Sequence, residues 1–151
     1  MLIRQATPDD VPAIRNLEQQ AETAAHWGER EYDALFAPEA PTRIALVAAV
    51  EPDGIHGFVI ARCVSEEWEI ENVVVAADQR RSGVASTLIG ELLRKAAEAA
   101  ITEVLLEVRE SNVAARQLYE KLGFSESGRR FDYYRDPIED GLLLRISIAV
   151  P

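Results

Sequence analysis

Hydrophobic residues recur along this chain with two different spacings, which predict the segments that form strands and those that form helices. Runs of apolar and β-branched residues bounded by turn residues predict seven strands, at Leu2–Gln5, Arg43–Val50, Gly57–Val64, about Trp68–Ala76, Glu103–Arg109, about Ser125–Tyr133 and Gly141–Val150. Apolar residues three and four positions apart predict four helices, from the N-cap Thr7 to about Ala25, from Glu29 to Phe36, from about Ser82 to Ala99 and from Asn112 to Leu122. This order predicts a layered α/β or α+β fold, with helices on both faces of a sheet.

The composition narrows the class of protein. A chain of 151 residues is expected to form a single domain, residues 1–151. Its formal charge of −10 argues against general nucleic-acid binding, which needs a basic surface. The longest apolar run, Ile44–Val50, is too short to span a bilayer and no signal peptide is evident, so we expect a cytoplasmic protein that binds no membrane. With one cysteine, and with His26 and His56 on different predicted elements, we expect no metal site.

A stretch of small and basic residues joins the fourth predicted strand to the longest predicted helix. It runs from Val73 to Ser86 and contains Arg80, Arg81 and Gly83. The first N–H groups of a helix have no helical partner and lie at the positive end of the helix dipole, so they attract anions. Glycine lets a ligand approach the backbone closely, and the two arginines add positive charge. The alternative is an ordinary turn glycine with solvated arginines.

A second stretch carries a carboxylate, an amide and a phenol near one strand-to-helix junction. Glu107 lies near the end of the fifth predicted strand, and Asn112 and Tyr119 lie on the helix that follows. Helix positions seven apart project from nearly the same side, so we expect these three groups to converge. The alternative makes Asn112 or Ser111 an N-cap, Tyr119 a core aromatic residue and Glu107 a solvated strand residue.

Both stretches resemble motifs of the GNAT N-acetyltransferases. Arg80-Arg81-Ser82-Gly83-Val84-Ala85 is similar to the family's acyl-CoA pyrophosphate loop, Gln/Arg-x-x-Gly-x-Gly/Ala, with alanine at the last position. Leu118-Tyr119-Glu120-Lys121-Leu122-Gly123-Phe124 is similar to the family's Leu-Tyr-x-x-x-Gly-Phe signature. With Leu-Glu-Val-Arg-x-Ser-Asn before this signature and a tyrosine pair after it, the chain looks most like the bacterial ribosomal-protein alanine N-acetyltransferases. The resemblance covers about residues 69–145, and it implies a three-layer fold around a mixed, mostly antiparallel sheet of about seven strands.

The resemblance also implies an activity. Acetyl-CoA would be the co-substrate, without a metal, and the acceptor would be the N-terminal alanine of a protein, most of all small-subunit ribosomal protein eighteen. The basic N-terminus of a ribosomal protein suits an acidic enzyme, and we expect a monomer or weak dimer without direct nucleic-acid binding. Two alternatives remain open: an acetyltransferase of small amines or antibiotics on the same fold, and a CoA-binding regulatory module without turnover.

By the same resemblance, Glu107 is the candidate general base and Tyr119 the proton donor to the departing CoA thiolate. Glu69 and Glu71 are competing bases, because many GNAT enzymes use a glutamate on that strand. Strict alternation would place these two glutamates on the same strand face as Val73 and Val75.

The resemblance implies two further sets of contacts. Cofactor contacts are expected from the strand end, the loop and both following helices: Val73, Val74, Val75, Arg80, Arg81, Ser82, Gly83, Val84, Ala85, Ser86 and Asn112. Acceptor contacts are expected from the two walls of a groove: Trp27 and Tyr32 on one wall, Tyr133 and Tyr134 on the other.

Overall fold

Seven strands form one sheet in the order β1-β2-β3-β4-β5-β7-β6. The computed structural model describes residues 1–21, 28–36 and 42–149. The strands are β1 Leu2–Gln5, β2 Arg43–Val50, β3 Gly54–Val64, β4 Glu67–Val75, β5 Glu103–Arg109, β6 Ser125–Tyr134 and β7 Glu139–Ser147. Neighbouring strands are antiparallel except β4 and β5, which are parallel. The predicted mixed, mostly antiparallel sheet is therefore confirmed.

Helices cover both faces of this sheet. They are α1 Val11–Gln20, α2 Glu29–Ala34, α3 Val84–Glu98 and α4 Val113–Lys121. One apolar cluster, called the α1/α2 cluster below, joins α1 and α2 to the sheet, chiefly through Ile14, Leu17, Tyr32, Leu35, Val47, Phe58 and Ile60. A second cluster, the α3/α4 cluster, joins α3 and α4 to the opposite face, chiefly through Val84, Leu88, Leu92, Tyr119, Leu46, Val59 and Leu106. The described part of the chain contains no helix that is long and apolar enough to cross a membrane.

Three predicted boundaries are wrong by three residues or more, while α2 ends, and β7 begins, two residues before the predicted position. The first helix ends at Gln20 instead of about Ala25, because Ala21 has an extended backbone and buries its side chain in the α1/α2 cluster. β3 begins at Gly54, three residues before the prediction, because this glycine has a φ of +97° and pairs with Val50. β7 ends at Ser147, before the predicted Val150.

The entry to α1 is fixed by one carboxylate. A 3₁₀ turn over Pro8–Asp10 precedes the helix, with Thr7 as its N-cap, as predicted. Asp10 accepts a hydrogen bond from the Thr7 backbone N–H at 2.8 Å and forms an ion pair with Arg4 of β1 at 2.7 Å. The hydrogen bond from Arg4 is the main reason why the pKa of Asp10 lies below its ordinary value. These contacts tie β1 to the start of α1.

A β-bulge in β4 changes the face that its residues present. Ile60 of β3 pairs with Asn72 but the next residue pairs with Ile70, so Glu71 is the extra residue. Before the bulge Ile70 packs in the α3/α4 cluster, whereas after it Val74 packs in the α1/α2 cluster. Strict alternation along β4 is therefore wrong: Val73 and Val75 pack against the α3/α4 cluster, on the side opposite Glu69.

Candidate functional site

A slit opens where β4 and β5 diverge. The two strands pair over four residues, from Glu67 with Glu103 to Ile70 with Leu106. β4 then continues to Val75 and β5 to Arg109, and residues 42–149 contain no further ladder between them. The first residues beyond the ladder are Glu71 on β4 and Glu107 on β5.

Backbone donors of β4 face this slit. N–H groups alternate between the two edges of a strand, and the Ala76 N–H donates to the His56 carbonyl of β3 at 2.8 Å. The N–H groups of Val73 and Val75 therefore point the other way, toward the side from which β5 has diverged. Two of the predicted valines thus offer main-chain hydrogen bonds to a ligand in the slit.

The loop after β4 leads directly into α3, as the sequence predicts. Gly83 is the N-cap residue with a φ of +87°, and Arg81 also has a positive φ, +65°. The Ser82 hydroxyl donates to the Gln79 carbonyl and holds the turn together. A left-handed conformation is natural for glycine and costly for other residues, so Gly83 is required by the backbone conformation. Apart from its chain neighbours, no described residue has an atom within 4 Å of the position that a Cβ on Gly83 would occupy, so this side of the loop is open toward the described part of the chain.

The same loop has the properties of an anion site. The first α3 amide with a helical partner is that of Thr87, which donates to the Gly83 carbonyl at 3.0 Å. The N–H groups of Val84, Ala85 and Ser86 precede it and have no place in the helical ladder. The two arginines of the loop, Arg80 and Arg81, are exposed. Neither forms an ion pair with any residue that the structure describes.

The structure places Glu107 and Tyr119 on opposite faces of the sheet. Leu106 and Val108 point into the α3/α4 cluster, which also holds Tyr119, so Glu107 between them faces the α1/α2 side. The predicted convergence of carboxylate and phenol on one side is therefore wrong. The helical spacing showed which side of α4 bears Tyr119, but it held no information on the sheet face that α4 covers.

Tyr119 is a buried phenol. The side chain is 8% exposed and meets Phe124 edge to face, with the ring centroids 5.7 Å apart. Burial raises the pKa of Tyr119 to about 12. This packing is that of the core aromatic residue given above as the alternative, and the hydroxyl stays protonated throughout the physiological range.

Glu107 lies in a cluster of charged and aromatic side chains. Its carboxylate forms an ion pair with Nε of Arg130 at 2.8 Å, and the Arg130 guanidinium lies 5.3 Å from the Tyr133 ring centroid. Tyr133 and Tyr134 meet edge to face at 5.1 Å. The pKa of Tyr134 is raised mainly by burial of its side chain, and the negative charge of Glu107 is the second cause. The structure thus brings the candidate base and the predicted tyrosine pair together.

Gly141 makes this cluster possible. It pairs with Arg109 of β5 on one side and with Arg130 of β6 on the other. A Cβ on Gly141 would lie 3.2 Å from Tyr133 and 3.3 Å from Tyr134. The missing side chain lets both rings lie against β7, a role that the sequence analysis missed.

A second ion pair supports the tyrosine pair. The Arg109 guanidinium lies 4.3 Å from the Tyr134 ring centroid and pairs with Glu139 at 3.4 Å. Glu139 accepts hydrogen bonds from the backbone N–H and the hydroxyl of Ser111, at 2.9 and 3.0 Å. These bonds lower the pKa of Glu139. This contact could not be predicted from the sequence, because Arg109 and Glu139 lie on different strands.

Both competing glutamates are paired with arginines of neighbouring strands. Glu69 pairs with Arg62 at 3.1 Å, and Glu71 pairs with Arg43 at 2.6 Å. The Glu71 pair is the more buried of the two. Glu69 also faces the α1/α2 side, so position alone does not separate it from Glu107 as a candidate base.

Two other predicted contacts have structural roles. The Asn112 side chain caps α4 by accepting a hydrogen bond from the Ala115 N–H at 3.3 Å, which confirms the N-cap alternative. Tyr32 is only 2% exposed and packs in the α1/α2 cluster, so its expected place on the groove wall is wrong. Its apolar ring fills the core beneath α2. The predicted contact Trp27 and the histidine His26 lie outside the described residues.

Together these features suit an elongated ligand with an anionic end. The helix start and its two arginines match a phosphate group, and the slit offers backbone donors to a chain that reaches toward Glu107. Within residues 1–21, 28–36 and 42–149, no three His, Cys, Asp or Glu side chains lie close enough to hold a metal ion. The site residues therefore fit an acyl-CoA thioester.

Comparisons with known proteins identify the family. The family model described as the Acetyltransferase (GNAT) family matches residues 11–124. A curated relative from Escherichia coli strain K12, named ribosomal protein bS18-alanine N-acetyltransferase, is 32% identical over 93% of each chain. The protein of the same name from Haemophilus influenzae is 38% identical over 90% of this chain and 89% of its own. The crystal structure of the Escherichia coli ribosomal-protein-S18-alanine N-acetyltransferase has a TM-score of 0.85 at 30% identity, covering 99% of this chain and 95% of that one. The chain therefore belongs to the GNAT family of acetyltransferases.

Proposed function

We propose that this chain transfers the acetyl group of acetyl-CoA to the N-terminal alanine of ribosomal protein bS18. The observation that carries the proposal is the slit between β4 and β5. It joins an anion-binding helix start to the cluster around Glu107, in a chain whose relatives bear the name of this reaction. A ribosomal acceptor would place the reaction in the cytoplasm. A monomer or weak dimer stays a prediction.

Three groups of residues would hold acetyl-CoA. The amides of Val84, Ala85 and Ser86 and the charges of Arg80 and Arg81 would bind the pyrophosphate. The N–H groups of Val73 and Val75 would bind the acyl chain in the slit. Ser82, Val74 and Asn112 support this surface through the loop turn, the core and the α4 cap.

In the proposed reaction the acceptor nitrogen forms a bond to the acetyl carbon while the carbon–sulfur bond breaks. Glu107 accepts the proton that the amine loses, directly or through a water molecule. The Tyr119 hydroxyl donates a hydrogen bond to the departing thiolate from the other face. Complete transfer of the Tyr119 proton is unfavourable, because a thiol with a pKa of about 8.5 is a much stronger acid than this phenol. Thiolate stabilisation is therefore its main role.

The chemistry of the site favours an α-amine over a lysine. Neutralising a lysine at pH 7 costs about 4.6 kcal/mol, whereas an α-amine costs about 1 kcal/mol. The single, partly exposed carboxylate of Glu107 suits the smaller cost, that of neutralising an α-amine. The exposed Tyr133 and its neighbour Tyr134 stand beside Glu107, where their hydroxyls are available to a peptide backbone.

A mass-resolved transfer assay tests this proposal. Purified protein and acetyl-CoA are mixed with a peptide that begins Ala-Arg, a lysine peptide with a blocked N-terminus, and spermidine, at equal concentrations. We expect acetylation of the free alanine terminus alone. Transfer only to lysine or spermidine would replace the proposed acceptor. Thermal stabilisation by acetyl-CoA without any transfer would favour a regulatory module.

A further inference from the structure

We infer that Arg130 is a displaceable counter-ion of Glu107, which the acceptor's α-ammonium group replaces when it binds. The inference deepens the proposed function and rests on it. It assigns to Arg130 control over acceptor affinity, a role distinct from the chemistry at the thioester.

The ion pair is asymmetric in its exposure. Nε of Arg130 lies 2.8 Å from Oε1 of Glu107, and the side chains are 53% and 20% exposed, respectively. The carboxylate is thus held by the sheet, whereas most of the guanidinium lies in solvent. Among the described residues, Glu107 is the one carboxylate that pairs with Arg130. An incoming cation therefore needs to break one ion pair to reach the carboxylate.

Arg130 also has a second position available. It precedes an irregular part of β6, because Arg130 pairs with Gly141 and the next paired residue, Tyr134, pairs with Glu139. The intervening Asp132 has a φ of +51°. The ring of Tyr133, half-exposed, already lies beside the guanidinium. Arg130 is therefore able to leave Glu107 while it keeps its contact with Tyr133.

The neighbouring arginines lack this freedom. Arg109 is 29% exposed and is held between Glu139 and the Tyr134 ring. Arg129 is 31% exposed and pairs with three carboxylates, those of Glu110, Glu126 and Asp140. Of these three arginines, Arg130 is the most exposed, and it pairs with one carboxylate where Arg129 pairs with three.

Guanidinium and ammonium groups compete for a carboxylate because both are cations that donate N–H hydrogen bonds. Exchange of the two cations brings the amine to the base and removes the competing charge in one step.

The test compares Arg130→Gln with Arg130→Lys in the transfer assay on the Ala-Arg peptide. Removing the competitor should lower the peptide KM about two- to fivefold, the range expected for an exposed ion pair, with kcat within about twofold. Lysine keeps a competing cation, so this variant should retain the wild-type KM. Arg135→Gln is the matched control, because exposed Arg135 lies on the same hairpin without an ion pair to a described residue. It should change KM by less than 1.5-fold, within the long-range effect of one lost charge.

Equilibrium binding in the presence of CoA gives a second readout. Arg130→Gln should tighten binding of the free-amine peptide but leave binding of the N-acetylated peptide unchanged, because the latter carries no ammonium group. In a Glu107→Gln background the effect of Arg130→Gln should disappear. An unchanged or raised KM, an equal effect of Arg135→Gln, or a large loss of kcat would overturn the inference while leaving the proposed function intact. A wild-type chain that neither binds nor acetylates the peptide would overturn both.

Discussion

Glu107 and Tyr119 lie on opposite faces of the sheet, although only twelve positions separate them in the chain. A thioester between the diverging strands is accessible from both faces. In the proposed reaction the carboxylate would accept the proton of the amine from the charged side, while the phenol would meet the sulfur from the apolar side.

Tyr119→Phe should lower kcat by about 10²–10³, because it removes a hydrogen bond to the developing thiolate. The acetyl-CoA Kd should stay within about twofold, since the phenyl ring keeps its packing against Phe124. Steady-state kinetics and calorimetry on the same preparation measure both quantities. A wild-type kcat would contradict the assignment of the phenol.

Glu107→Gln should lower kcat by about 10²–10⁴, the usual contribution of a general base. Glu69→Gln and Glu71→Gln are matched controls, because each also leaves one arginine without its carboxylate. We expect each control to retain at least a tenth of the activity. A large loss in either control, with activity retained in Glu107→Gln, would move the base to β4.

Alkaline pH should destabilise the fold through Tyr119. Burial raises its pKa from about 10 to about 12, so the folded state binds this proton more tightly than the unfolded state does. The resulting stability is complete below pH 10 and is lost as the pH rises to 12, by about 3 kcal/mol. Urea unfolding at intervals of pH should show this loss in the wild type but a smaller one in Tyr119→Phe. Equal losses would mean that the phenol titrates normally.

Asp10→Asn should lower the free energy of unfolding by about 1–2 kcal/mol through loss of the cap and the Arg4 ion pair. The pKa of Asp10 is lowered in the folded state. Its contribution is therefore present above pH 4 and is lost as the pH falls below that value. Urea unfolding at pH 7 and pH 3 measures the change. Exposed Asp9 in the same turn is the control, and an equal loss in Asp9→Asn would contradict the role of Asp10.

Gly83→Ala should weaken acetyl-CoA binding about 5- to 30-fold, because a left-handed conformation costs a non-glycine residue about 1–2 kcal/mol. Gly90→Ala is the control within the same helix. A Cβ at Gly90 meets no atom within 4 Å, so this variant should keep its acetyl-CoA affinity and gain about 0.5–1 kcal/mol of stability. Equal affinities of the two variants would place the pyrophosphate elsewhere.

The sequence predicted those features of the fold that depend on local pattern. The seven strands, the four helices and the loop at Gly83 all follow from the spacing and chemistry of nearby residues. The bulge at Glu71 does not, because an extra residue in a ladder depends on the partner strand. The start of β3 was misplaced for a similar reason, since Gly54 is paired through the turn.

The environment of Glu107 was equally hidden from the sequence. Arg130 reaches it across β7, and this approach depends on the sheet order, which places β7 between β5 and β6. Tyr32 was misassigned because an aromatic residue on a short helix suits a groove wall and a core equally well. The 2% exposure of Tyr32 shows that it is a core residue.

The short β4–β5 ladder also has a mechanical consequence. It divides the sheet into two parts, β1–β4 and β5–β7. In residues 42–149 the ladder that joins the two parts contains four residue pairs. A ligand that forms hydrogen bonds with both edges of the slit would hold the two parts of the sheet together. Binding of this ligand would then slow amide hydrogen exchange on both β4 and β5, far from the atoms that react.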